Sequence, residues 1–301
     1  MSEPLVIWRL TDGKPGHMQQ TLGLVQALSR LRPCECIDID LRGDPVGLRD
    51  VVLRRFPPGV ARKRPALVIG AGHRTHLALL AAQRTTGAKT VALMKPSLPV
   101  SWFDLVIAPE HDGLIEGPRV INSIGVLNPM QEGSKVQASV LILVGGPSKH
   151  VKWDDAAVLA QIAEVVAAQP PSAIWQITDS RRTPPAMSDM LSQRYGGRFQ
   201  PHASCPPGWL ATQLRQTDTV WVSEDSVSMV YESLTAGCRV ALLQLEADRN
   251  SRVARGVARL LEQGLATSFE RWKQDGVLPA PTRFNEAGRI APLVLERLGL
   301  S

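Results

Sequence analysis

The stretch WRLTDGKPGHMQQ, residues 8–20, follows the first hydrophobic run of the chain and gathers Asp12, Gly13, Lys14, Gly16 and His17 in one short loop. A Rossmann dinucleotide fingerprint needs G-x-G-x-x-G after its strand, and TDGKPGH offers only Gly13 and Gly16. A Walker A loop needs Lys followed by Ser or Thr after its second glycine, whereas Lys14 precedes Gly16 and His17 follows it. Neither NAD binding nor P-loop ATP hydrolysis is supported. What remains is a tight turn whose N–H groups, with the start of the next helix, receive an anion or a polar sugar. His17 falls in the first helical turn. With Asp12 across the loop it suits a general base that deprotonates an acceptor hydroxyl. Simple capping of the turn by the same two side chains is the alternative.

Two more strand ends add polar groups. In GAGHRTH, residues 70–76, Gly70 and Gly72 allow close backbone approach and His73 stands near a helix N-terminus; a plain packing turn is equally open. In APEHDG, Glu110, His111 and Asp112 stand together, with a spacing that matches no metal signature, so a polar wall of an acceptor site is expected rather than a metal centre. Gly13, Lys14, Gly16, Gly72, His73, Glu110 and His111 form the expected acceptor side.

The second half carries the expected phosphate side. LVGGPSKH places Gly145 and Gly146 after an apolar run, with Ser148 and Lys149 as further donors. ITDSRRTP ends another run with Thr178, Ser180, Arg181 and Arg182, and an arginine fork pairs well with phosphate, unless the segment is merely a solvated turn. In VWVSEDSVSMVYESLTAG, Ser226 reads as a helix N-cap. Ser226, Met229 and Glu232 follow at three-residue spacing on one helix face, which offers hydroxyls to phosphate and a carboxylate to ribose.

These loops require strands and helices to hold them. Short β-rich runs alternate with amphipathic stretches from end to end, the pattern of parallel sheets with crossover helices. Strands are expected at PLVIWRL, ECIDIDL, ALVIGAG, KTVALMK, FDLVIAP and RVINSIG, and after the break at LNPMQEGSKVQ at ASVLILVGG, SAIWQITDS, DTVWVSE and RVALLQL. The unit strand–glycine turn–helix opens each half. The expected architecture is therefore α/β, with two Rossmann-like domains facing across a cleft, as in GT-B enzymes: residues 1–130 on the acceptor side and 136–301 on the nucleotide-sugar side, with the last helix free to pack back on the first domain.

The 301 residues are 44% hydrophobic and 21% charged, a globular composition. No apolar run reaches the roughly 18–20 residues of a membrane span, and MSEPLVIW is too short and acidic for a signal peptide. A cytoplasmic address is expected, and four cysteines are read as reduced thiols. Most of the net charge of +6 belongs to the first half, where residues 1–135 hold 17 Lys/Arg against 12 Asp/Glu, while residues 136–301 hold 17 against 16. Arg54, Arg55, Arg62, Lys63 and Arg64 are either a solvated basic face or a surface for an anionic partner, an anionic membrane surface or a lipid-linked acceptor, with a peripheral position at the inner face of the membrane. Nucleic acid is not expected, since aromatic stacking platforms are absent.

DGKPGHMQQTLGL together with SEDSVSMVYESLTAG resembles the family named for a plant mitochondrial-fission factor, the elongated-mitochondria family. Its bacterial members are labelled nucleoside-diphosphate-sugar epimerases. GAGHRTH, VGGPSKH and ITDSRRTP follow in that family's order. More distantly, VGGPSKH and SEDSVSMVYESLTAG resemble the donor half of GT-B glycosyltransferases such as the peptidoglycan lipid-intermediate N-acetylglucosaminyltransferase. That likeness implies Gly145 and Gly146 beside a diphosphate, Ser226 and Val227 under it, Glu232 on the ribose hydroxyls, and Asp12, Gly16 and His17 in the acceptor loop. It implies metal-independent transfer from a nucleoside-diphosphate sugar, with no cofactor. An NAD-independent epimerase and a non-catalytic recruiting factor are the alternatives.

Overall fold

Apolar runs that alternate their side chains between two covered faces build this chain. Its structure, a computed structural model, describes residues 3–148, 151–247 and 251–300. Strand β1 (Leu5–Thr11) is buried at every position. Leu5 and Ile7 enter one core and Trp8 and Leu10 another, as the two-residue period of a strand demands.

The described residues divide into two units, Met1–Pro129 with Asn285–Ser301, and Met130–Phe284. In the first, β1 is joined by β2 (Cys34–Asp40), β3 (Leu67–Ala71), β4 (Lys89–Leu93), β5 (Leu105–Pro109) and β6 (Val120–Ser123), all parallel in the order β2-β1-β3-β4-β5-β6. Helix α1 (Pro15–Leu31) buries Leu24, Val25 and Leu28 against one face. The short α2 (Leu48–Val52) and α3 (His76–Thr86) cover the other, through Val51 and the alanine-rich row Ala78, Leu79, Ala81 and Ala82.

The second unit repeats the plan. Strands β7 (Val136–Leu143), β9 (Ile174–Thr178), β10 (Phe199–Gln200), β11 (Thr217–Ser223), β12 (Arg239–Leu243) and β14 (Thr267–Ser268) form a parallel sheet in the order β10-β9-β7-β11-β12-β14. A small antiparallel pair, β8 (Val151–Lys152) with β13 (Glu246–Ala247), stands apart from it. The flanking helices are α4 (Asp155–Ala167), α5 (Pro185–Tyr195), α6 (Trp209–Gln216), α7 (Val227–Thr235), α8 (Arg252–Glu262) and α9 (Phe269–Asp275). Asp154 starts α4 by accepting from the amides of Ala156 and Ala157. One face of the sheet packs Val140, Ile142, Ile177 and Trp221 against Ile162, Met187 and Phe269.

The last helix, α10 (Glu286–Leu298), returns to the first unit, where Ile290, Ala291 and Val294 share the core of α1. Buried Glu286 fixes its start by accepting from the Ile124 amide at 2.7 Å and pairing with Arg289. The fold is α/β, with two Rossmann-like domains. Among the described residues, no helix is long and apolar enough to cross a membrane.

Candidate functional site

In a doubly wound sheet, ligands bind beyond the carboxyl ends of the strands where the strand order reverses. That point lies between β1 and β3 in the first unit and between β7 and β11 in the second. The sequence motifs fall at both.

In the first unit, Thr11 ends β1 and Pro15 begins α1, so Asp12–Gly13–Lys14 must make the turn between them. Gly13 takes a left-handed φ of 78°, which a side chain would resist. Asp12 is buried; its Oδ1 accepts the Lys14 amide at 3.1 Å and its Oδ2 meets His17 Nδ1 at 2.9 Å. An ionised carboxylate only accepts, so in the neutral ring the contact selects the tautomer with its proton on Nδ1 and its lone pair on Nε2. The adjacent loop closes on this ring. Gly72, with φ 80°, lies so near that an added Cβ would stand 2.2 Å from His17 Cε1. The structure therefore brings Asp12, His17 and Gly72 together. Lys14, Gly16 and His73 are exposed beside them. Glu110 and His111 are half-buried in a single 3-10 turn after β5, two strands beyond β3.

Neighbouring His76, which opens α3, is different in kind. It is buried, its Nδ1 lies 3.1 Å from Ser97 Oγ, and burial holds its pKa down at about 4.

In the second unit a pocket of about 560 Å³ is lined by residues 180–182 and 225–229. Its organiser is Asp225, whose side chain is fully buried. Asp225 Oδ2 accepts from Arg182 Nη2 at 2.5 Å, Ser226 Oγ at 2.9 Å and the Gly146 amide at 3.1 Å. Arg182 Nη1 also donates to Gly146 O at 3.0 Å. The two glycines make room for this node: a Cβ on Gly145 would sit 2.2 Å from Asp225 Oδ2, and one on Gly146 2.0 Å from Arg182 O. The Gly145 amide donates to Ser223 Oγ at 2.7 Å, so both glycine amides are used inside the protein. One buried carboxylate thus ties together the loops that follow β7, β9 and β11.

One expectation changes here. Ser226 does occupy the N-cap position of α7, but its hydroxyl does not cap the helix; it turns to Asp225 and Arg182 instead. Val227, Ser228 and Met229 of the helix's first turn line the pocket, and no side chain among the described residues caps their amides. Arg182 is held by the Asp225 node, whereas exposed Arg181 has no such brace among the described residues. Thr178 is buried at the end of β9, and the Ser180 hydroxyl is used in a turn with Thr183. Ser148 forms an isolated bridge with Val151, while Lys149 lies outside the described residues. Burial pushes the Glu232 carboxyl on α7 up to about 7. Glu224 is also raised to about 7, chiefly by burial, against the opposing hydrogen bond from the Leu245 amide.

Sequence reading missed the role of Asp225 because its partner is 43 positions away in the chain. It also missed a second carboxylate–imidazole pair. Buried Asp179 accepts from the His202 amide at 2.6 Å, His202 Nδ1 at 2.9 Å and Ser188 Oγ at 2.6 Å. The pairing of Gln200 with Thr178 across β10 and β9 brings them together, and no local spacing announces it.

The basic run after α2 is partly neutralised. Arg55 pairs with Asp50 at 2.6 Å and Lys63 with Glu35 at 2.7 Å. Arg62 and Arg64 donate to the carbonyls of Pro58 and Thr86. Among the described residues, no three or more His, Cys, Asp or Glu side chains converge as metal ligands.

Residues 15–298 match the family described as Mitochondrial fission ELM1. No curated protein matches the sequence. Among solved structures, the chain is similar to a candidate UDP-N-acetylglucosamine 2-epimerase of Listeria monocytogenes, with 12% identity, a TM-score of 0.63, and 99% of this chain and 98% of that one covered. It is similar to the UDP-GlcNAc 2-epimerase of Neisseria meningitidis bound to UDP-GlcNAc, with 11% identity, a TM-score of 0.56, and 98% and 100% covered. The glycosyltransferase AviGT4 of avilamycin A biosynthesis matches with 13% identity, a TM-score of 0.55, and 98% and 97% covered. These likenesses are of fold: the two-domain GT-B type.

Proposed function

The chain belongs to the mitochondrial fission ELM1 family, and from that premise we propose that it binds a nucleoside-diphosphate sugar and transfers the sugar to an acceptor hydroxyl without a metal. The observation that carries this reading is the pocket at the start of α7, where uncapped amides and Arg181 and Arg182 converge. Those groups suit a diphosphate, whose growing charge on departure a helix N-terminus and arginines stabilise. Glu232 accepts from the ribose hydroxyls. His17 Nε2 takes the acceptor proton while the acceptor oxygen bonds to the anomeric carbon and the bond from that carbon to the diphosphate breaks. Asp12 holds the imidazole in the required tautomer throughout.

Thermal shift with UDP and UDP-GlcNAc tests the donor half. The melting temperature should rise with either, and Arg181→Glu should remove the rise while leaving the ligand-free protein as stable as before. No shift with any nucleoside diphosphate would overturn the reading. The structural likeness to UDP-GlcNAc 2-epimerases favours epimerisation as a second reading. Solvent-proton incorporation into the sugar without an acceptor distinguishes it from transfer.

A further inference from the structure

The segment from α2 to β3 shows an outer surface at odds with its inner one. Val51 and Phe56 anchor it in the core of the first unit, and Phe56 stacks on Trp8 with ring centroids 5.5 Å apart. The residues around these anchors face outward: Leu48 is 62% exposed, Val52 65%, Leu53 53% and Val60 75%. Leu48 and Val52 are four positions apart on α2 and share its face. Isolated exposed aliphatics are ordinary, but four in one short segment mark an interaction surface. Left-handed backbone at Arg54 (φ 50°) and Ala61 (φ 62°) bends the chain beside Leu53 and Val60, a conformation that a side-chain-bearing residue seldom adopts.

The charges in this segment sort themselves by pairing. Arg55 and Lys63 are neutralised by carboxylates. Arg54, Arg62 and Arg64 are exposed and, among the described residues, form no ion pair. The exposed side chains of residues 48–64 are thus aliphatic and cationic by turns along one short segment. Aliphatic side chains give bases no stacking platform, and a second copy would set arginine against arginine. A bilayer with anionic headgroups meets both properties, offering apolar depth for the aliphatics and phosphates for the guanidinium groups.

We propose that this face docks the protein on an anionic lipid surface, with Leu48, Val52, Leu53 and Val60 entering the headgroup–acyl boundary and Arg54, Arg62 and Arg64 meeting the lipid phosphates. The docking is independent of the sugar-nucleotide pocket, so either can fail alone.

Cosedimentation of the full chain with vesicles tests it. Vesicles of equal parts phosphatidylglycerol and phosphatidylcholine should carry the protein down, and vesicles of phosphatidylcholine alone should not. Leu53→Ser/Val60→Ser and Arg54→Glu/Arg62→Glu should each weaken binding about tenfold or more, the latter also flattening the dependence on salt. All four positions are exposed, so the melting temperature should hold. Wild-type protein that ignores anionic vesicles, or variants that bind as wild type does, would overturn the proposal. So would a concentration-dependent dimer in sedimentation velocity that Leu53→Ser/Val60→Ser abolishes, since the face would then belong to a second copy.

Discussion

At the residue scale, the chemistry turns on which nitrogen of His17 carries the proton. Asp12→Asn offers the imidazole an amide that can donate as well as accept, which frees the ring to take the unproductive tautomer. Turnover should fall roughly 10²–10⁴-fold, with nucleoside-diphosphate affinity measured by calorimetry unchanged. His17→Ala should abolish turnover with the same affinity retained. Gly72→Ala should act on the same ring from below, because its Cβ would overlap the imidazole and its left-handed φ would be strained. A Gly72→Ala variant with full activity would remove the close packing from the mechanism.

Glu232 gives the pH prediction. Its folded pKa, about 7, lies above the unfolded carboxyl value because of burial. A raised carboxyl stabilises the fold fully below its unfolded pKa, and that stability drains away as the pH climbs through 7. Glu232→Gln should therefore flatten the fall in melting temperature between about pH 5 and pH 7.5. In the wild type, ribose hydroxyls would favour the ionised carboxylate, so nucleotide affinity should increase with pH across the same window. An affinity flat in pH would separate Glu232 from the ribose.

At the element scale, the loops after β7, β9 and β11 behave as one piece because Asp225 joins them. Arg182→Ala strips a buried carboxylate of its cation and should cost about 3–5 kcal/mol in chemical denaturation. Adding Asp225→Asn to that variant should recover part of the loss, since the uncompensated charge is gone. If the two losses simply added, the node would not be a unit.

The sequence foretold the strands that are long and buried, such as β1, β3, β7 and β11, because apolar runs bounded by glycine and polar turns leave little choice. It did not announce β10, β14 or the β8–β13 pair, which have two residues per strand and owe their existence to their neighbours. The same distinction holds for the site. Asp12 and His17 are five residues apart and their pairing was visible; Asp225–Arg182 and Asp179–His202 are made by sheet order and were not. Gly145 and Gly146 were placed beside a diphosphate by resemblance, and no local signal announced that their missing side chains also make space for Asp225 and the backbone of Arg182.

At the scale of the whole molecule, each unit has its own sheet, and each sheet brings its motif to its own reversal point. The first unit is completed from both ends of the chain, since α10 fills the core that α1 lines. Removing Asn285–Ser301 would uncover Leu24, Leu28 and their neighbours. The truncated chain should lose the first unit's calorimetric transition while the second unit, Met130–Phe284, keeps its own.

That completion from both ends also sets an order in time. The second unit is continuous and has its core residues in hand once Phe284 has been synthesised. The first unit, although translated earlier, lacks Ile290 and Val294 until those residues have been synthesised as well. The domain that is made second is therefore the one able to fold without the last helix, and released chains ending near residue 284 should resist proteolysis in their C-terminal half while their N-terminal half is still cut.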